Sequence, residues 1–210
     1  MNSYHEKIDK FIMPLVEKIQ KPMIFEMGVR DGISTKKFID ICEKNDGILY
    51  SVDLIDYSNV SKSNKWKFIN DSDDNLNNYR NKLPSKFDLI YLDSLHEADH
   101  VEKIIYLYFT LLKVNGYFIV DDISHLPYSN EKMNSNFYCE INNKETFDRI
   151  LDIYNNNINN FDLEFKFMSS GLAILKKLSE DELKGKLAIK ARTNSLKNFI
   201  RLIWKKFKKK

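Results

Sequence analysis

The sequence predicts an α/β fold: a doubly wound, mostly parallel sheet in a three-layer α/β/α arrangement, ending in an antiparallel C-terminal hairpin. Three observations predict it. Short apolar runs alternate with amphipathic helical stretches, the pattern of a parallel sheet with crossover helices. Four of those runs end in an acid, namely Glu26, Asp53, Asp93 and Asp121. The first run passes directly into a glycine loop, Gly28 to Gly32, that opens a helix.

Each element follows in chain order. Residues 1–21 read as a lead-in helix, with Ile8, Ile12, Leu15 and Ile19 at helical spacing and Pro14 either kinking it or starting its second half. The body, residues 22–178, begins with the strand Met23 to Met27, the glycine loop and a helix burying Phe38, Ile41 and Cys42. Strands Ile48 to Asp53 and Trp66 to Asn70, a helix near Asp73 to Lys82, and strand Phe87 to Asp93 continue the alternation. A helix with Val101, Ile104, Ile105, Tyr108 and Leu112 on its apolar face stops at Asn115-Gly116, before strand Tyr117 to Asp121. Ser124 to Asn143 is expected to be irregular, and Tyr128, Phe137 and Tyr138 make it either a lid over the site or a plain surface loop. A helix with Phe147, Ile150, Leu151 and Tyr154 precedes the hairpin, whose turn is Ser169-Ser170-Gly171.

At 210 residues the chain suits one domain with a tail, residues 179–210. Its aromatic content of 13% argues against disorder. From Lys184 onward there are 11 Lys or Arg and no acids, which leaves 22 basic against 30 acidic residues and a charge of −8 on the rest. An acidic body is a poor nucleic-acid surface. Cys42 and Cys139 show no metal-ligand or disulfide spacing. The polar start MNSYHEKIDK and the lack of a long apolar run predict neither signal peptide nor transmembrane helix, hence a cytoplasmic protein.

In an open parallel sheet, ligands lie beyond the carboxyl ends of the strands, so the strand-end acids are the first candidates. The run Glu26-Met27-Gly28-Val29-Arg30-Asp31-Gly32 lacks the spacing of the dinucleotide fingerprint, and its acid suits a cationic ligand better than a pyrophosphate. Asp53, placed 27 residues after Glu26, is positioned to bond both hydroxyls of a ribose. Each acid taken alone reads equally well as a solvated turn or an N-cap; their joint placement favours a nucleoside.

The run EMGVRDGIS, then SVDLID, FINDSDD and FDLIYLDSLHEADHVEKIIYLYFTLLKVNGYFIVDDIS, resembles the class I methyltransferases that use S-adenosylmethionine (SAM), particularly the small bacterial O-methyltransferase-like group, over roughly residues 22 to 177. The resemblance implies a Rossmann-like fold with Glu26, Gly28 and Gly32 along the methionine part of SAM, Asp53 on the ribose, Asp71 and Ser72 near the adenine, and Asp93 facing the methionine end and the active site. It also implies a divalent-cation site, such as one for Mg, formed by Asp93, Asp121 and Asp122, although Asp122 stands where Asn is common in the catechol-type enzymes.

Two devices would activate an acceptor hydroxyl: a hard cation on those three acids, or His96 as general base, with Asp93 beside it. His96 reads equally as a local helix-start residue. His125 is a second base candidate, and His100, one turn further along the helix, is expected to be structural or at the surface, with reach into the site as the alternative. The acceptor is expected to be a small hydroxylated metabolite or glycan unit; an RNA-directed enzyme and a non-catalytic nucleoside-binding scaffold are the alternatives. From Leu196 the apolar residues fall on one helical face and Lys197, Arg201 and Lys205 on another, which suits peripheral contact with the inner face of a membrane, docking on the body or a second subunit, or simple solvation. The oligomeric state, a dimer included, is left open.

Overall fold

The computed structural model describes residues 3–126, 135–192 and 195–207. A seven-stranded sheet runs in the order β3-β2-β1-β4-β5-β7-β6, with β1 Met23–Met27, β2 Ile48–Asp53, β3 Trp66–Asn70, β4 Phe87–Leu92, β5 Leu112–Asp121, β6 Phe161–Lys166 and β7 Leu172–Lys177. The first five strands are parallel, and β7 pairs antiparallel with both β5 and β6. The strand order reverses at β1, so β1 and β4 flank the crevice where such sheets take ligands. The hairpin is therefore inserted with β7 against β5 and β6 as the edge.

Period-two alternation sends successive side chains to opposite faces. One face carries Ile24, Leu49, Leu89, Tyr91 and Ile119, packed under helices α1 (Ser3–Phe11), α2 (Met13–Val16) and α3 (Ile33–Lys44). The other carries Phe25, Val52, Ile90 and Phe118, under α4 (Leu76–Tyr79), α5 (Ala98–Tyr108) and α6 (Ser135–Asn155). With both faces covered, β4 is buried along its whole length. Pro14 sits in the first turn of α2, where its missing N–H costs no bond, so it opens the second helix.

Three expectations are corrected. The helix expected to reach Leu112 ends at Tyr108, and β5 begins at Leu112 rather than Tyr117; Asn115, with φ 66°, and Gly116 mark a shift in its register with β4 instead of a helix stop. The helix near Asp73 to Lys82 shrinks to one turn of α4 followed by a short 3-10 turn. Part of the segment expected to be irregular is helical, because α6 starts at Ser135; no Gly or Pro after Pro127 interrupts it. A final helix, α7, spans Leu196–Phe207.

Candidate active site

A groove crosses the carboxyl ends of β1, β2 and β4 in two lobes. The first, about 540 Å³, is lined by Asp53, Ser72, Asp73, Asp74 and His100, with Leu54, Ile55, Tyr57 and Leu95 supplying apolar walls. The second, about 320 Å³, is lined by Tyr4, Val29, Asp31, Ile33, Ser34, His96 and Asp122. Gly28, Arg30, Asp93 and Ser94 line both, so the lobes meet there. The loop approaches β4 so closely at Gly28 (φ 93°) that a Cβ would lie 2.1 Å from the Asp93 carbonyl oxygen. Only glycine satisfies both constraints.

The strand-end acids divide according to what covers them. Glu26 is fully buried and lines neither lobe. Its carboxylate accepts bonds from Ser34 Oγ (2.5 Å), Thr35 Oγ1 (2.8 Å) and Ser51 Oγ (2.7 Å). Burial nevertheless pushes it up to about 7, the three hydroxyls opposing. Glu26 thus anchors the start of α3 beneath the loop, behind the lobe lining rather than in it. Gly32, with φ 69°, is the N-cap of α3, which offers no capping side chain of its own. Asp53 stays in the first lobe, and its two oxygens accept from the Val29 and Ile55 backbone N–H groups at 2.8 and 3.0 Å.

At the third strand the acid facing the lobe is one missed in the sequence. Asp73 Oδ2 accepts from Ser94 Oγ (2.5 Å) and lies 3.0 Å from His100 Nε2. Asp71 turns away, bonded to the Asn78 and Asn75 amides, while Ser72 remains in the lining. His100, expected to be structural or at the surface, orients Asp73 and lines the lobe.

In the second lobe, His96 Nε2 lies 3.3 Å from Asp122 Oδ2 and 3.6 Å from Asp93 Oδ1. Asp93 Oδ2 accepts from Tyr4 of α1 at 2.5 Å and from Tyr91 at 3.3 Å. Burial, reinforced by the Asp121 carboxylate, holds Asp93 well above the usual carboxylate range. Asp122 is raised by the same two causes, with His96 opposing. Asp122 adopts φ 57°, a left-handed conformation that short polar residues tolerate, and this turns it away from Asp121.

Asp121 does not join them. It is fully buried, ion-paired with the equally buried Lys7 of α1, and accepts from Tyr91 OH at 2.5 Å. The set Asp93, Asp121 and Asp122 therefore does not fit a divalent cation, since the lysine already neutralises one member. Among the described residues, no group of three His, Cys, Asp or Glu side chains is arranged to hold a metal. His125 packs on Phe147 of α6, with ring centroids 5.7 Å apart, and lines neither lobe, because the chain leaves the groove at Asp122 through buried Ile123 and Ser124. Of the lid candidates, Phe137 and Tyr138 stand exposed at the start of α6, ring against ring, and Tyr128 lies outside the described residues. Tyr4, Lys7 and Arg30 escaped sequence reasoning; Arg30 sat within the glycine loop and was the one with a local signal.

Residues 25–123 match a family described as a methyltransferase domain. No curated protein matches the chain in sequence. Among solved structures, the fold resembles MycE, a methyltransferase of the mycinamycin biosynthetic pathway in complex with Mg, SAH and mycinamycin VI (TM-score 0.56, 17% identity, 78% of this chain and 46% of that one). It also resembles a Staphylococcus aureus protein proposed to be a caffeoyl-CoA O-methyltransferase (TM-score 0.61, 19% identity, 84% of each chain). A third resemblance is to the Methanococcus jannaschii fibrillarin pre-rRNA processing protein (TM-score 0.54, 17% identity, 82% of this chain and 70% of that one). The chain spans less than half of the MycE chain, and at these identities the likeness establishes the fold.

Proposed function

We propose that this chain, whose residues 25–123 match a family described as a methyltransferase domain, transfers the SAM methyl group to a hydroxyl oxygen of a small metabolite or glycan unit. The observation that carries this reading is the meeting of the two lobes at Gly28, Asp93 and Ser94, with acids and a hydroxyl suited to a nucleoside on one side and the His96–Asp122 pair on the other.

The first lobe suits the adenosine part. Leu54, Ile55 and Leu95 are large apolar side chains left exposed around it, a surface a base would cover. Asp53 serves the ribose, and Ser72 and Asp73 the polar edge of the base. At the junction, Arg30 has the charge for an amino-acid carboxylate, and Asp93 presents oxygens that can accept from an ammonium.

SAM, when bound, supplies an electrophilic methyl that the acceptor oxygen attacks in line. His96 Nε2 takes the acceptor's proton, and Asp122, 3.3 Å away, stabilises the resulting imidazolium. Tyr4 and Tyr91 hold Asp93 in place. Proton removal rests on His96 in this reading, and Lys7 neutralises the Asp121 carboxylate beneath the site.

The rim favours a small acceptor over RNA. Asp31, Asp53, Asp73, Asp74, Asp93 and Asp122 line the groove, and among the described residues Arg30 is the one Lys or Arg in its lining, so a polyphosphate chain would be repelled.

The test is calorimetric titration of SAM into wild type and Asp53→Ala, followed by mass analysis of a panel of hydroxylated acceptors. Saturable binding weakened in Asp53→Ala, with a methyl ether as product, supports the reading. Methylated amine or RNA products would replace its acceptor half, binding without turnover on any acceptor would leave a scaffold, and no SAM binding would overturn it.

A further inference from the structure

Helix α7 presents large apolar side chains to solvent: Leu196, Phe199, Ile200, Ile203 and Trp204 are 75%, 61%, 52%, 39% and 64% exposed. At 100° per residue, Leu196, Phe199, Ile200 and Ile203 share one face, Trp204 borders it, and Lys197, Arg201 and Lys205 occupy the other. Ser195 starts the helix, its backbone and side-chain oxygens receiving the Asn198 N–H and its backbone oxygen the Phe199 N–H. The stretch leading to it is tied to α6 as far as Ile189, whose N–H bonds Asp152. Arg192, Lys197 and Arg201 then surround a shallow groove with Ser195 and Asn198.

We propose that α7 docks the enzyme on an anionic lipid bilayer, its apolar face in the acyl boundary and its basic residues among headgroup phosphates. Charge complementarity selects this occupant: of the 11 basic residues from Lys184 onward, Lys186 pairs with Glu102 of the body, and the rest meet no acid of their own segment, so the tail is drawn to an anionic surface. The apolar face decides which anionic surface. A nucleic acid would engage the lysines and leave the large apolar side chains in water. A bilayer takes both, and it places the Trp204 indole at the polar–apolar boundary that amphipathic rings favour. No described helix is long and apolar enough to cross a membrane, so the contact lies in the interface.

The experiment is flotation of the full chain with vesicles of phosphatidylcholine alone or equimolar with phosphatidylglycerol, with fluorescence as a second readout. The chain has two tryptophans, and Trp66 is already buried beside Ser51, so a blue shift on vesicle addition reports Trp204. The expected result is recovery with anionic vesicles only, a blue shift, and loss of both in Phe199→Ser/Ile203→Ser. Lys197→Gln/Arg201→Gln/Lys205→Gln is expected to lose recovery by at least about tenfold, since each basic residue near an anionic surface contributes on the order of 1 kcal/mol. Equal recovery with both vesicle types, no blue shift, self-association that buries Trp204 without lipid, or RNA binding that outcompetes vesicles would each overturn the proposal. SAM titration of the same variants is expected to be unchanged, so failure of the membrane contact and failure of the methyltransferase reading are told apart.

Discussion

Lys7, on the first helix, is fully buried against Asp121 at the end of β5, the two lying 114 residues apart in the chain. The pair fastens α1 to the sheet beside the groove and brings Tyr4 onto Asp93. Removing one partner of such a pair leaves an uncompensated buried charge, whereas removing both is far less costly. Lys7→Met is therefore expected to lose about 3–5 kcal/mol in urea unfolding, and Lys7→Met/Asp121→Asn to recover most of it. In the wild type, magnesium or a chelator is expected to leave turnover unchanged within about twofold, where a catalytic metal would contribute orders of magnitude. Strong stimulation by magnesium would show that the lysine does not stand in for a cation.

Gly28 offers a sharper test of the junction. With φ 93° and a Cβ position 2.1 Å from a backbone oxygen, Gly28→Ala must displace either the loop or Asp93. Calorimetry is expected to find SAM affinity reduced at least about tenfold, well beyond what loss of a flexible glycine alone would cause. Unchanged affinity would place the ligand elsewhere.

For His96, the expectation separates chemistry from binding. His96→Gln keeps a polar group in the cleft but removes the base, so kcat should fall by about 10²- to 10⁴-fold with SAM affinity preserved. Asp122→Asn should lower kcat less, since that carboxylate acts through the imidazole. A His96→Gln enzyme as fast as wild type would assign proton removal to another group or to water.

Glu26 gives a pH prediction. Because folding raises its pKa from 4.5 to about 7, the folded chain retains a proton that the unfolded chain has released. Its contribution is thus most favourable below about pH 4.5, falls as pH rises towards 7, and is level above that. The shift corresponds to about 3 kcal/mol. Urea midpoints measured from about pH 5 to 8 should decline in the wild type and decline less steeply in Glu26→Gln, the raised Asp93 and Asp122 keeping a part of the slope. Parallel profiles would mean that the hydroxyls of Ser34, Thr35 and Ser51 offset burial fully.

Much of the molecule follows from local pattern. The apolar runs place β1, β2 and β3 at their observed bounds, and the acids at strand ends locate the groove, because a parallel sheet puts every such residue on one rim. Glycines 28 and 32 are legible for the same local reason: a sharp turn needs φ values that other residues resist. The boundary between α5 and β5 was less legible, since Leu112 continues a helical spacing while belonging to a strand.

What tertiary structure alone decided is the job of each acid. Strand parity sends Glu26, Asp93 and Asp121 to the same face, yet α3 seals the first with hydroxyls, α1 seals the third with an ammonium, and only the second opens to the cleft. The choice of Asp73 over Asp71 was settled likewise, by Ser94 and His100 reaching across from beyond β4. A sequence pattern records which way the backbone turns over a few residues. Whether a carboxylate meets water, a hydroxyl or a lysine depends on helices arriving from far along the chain, and that pairing is selected by packing on the sheet, where an unpaired buried charge is too costly to persist.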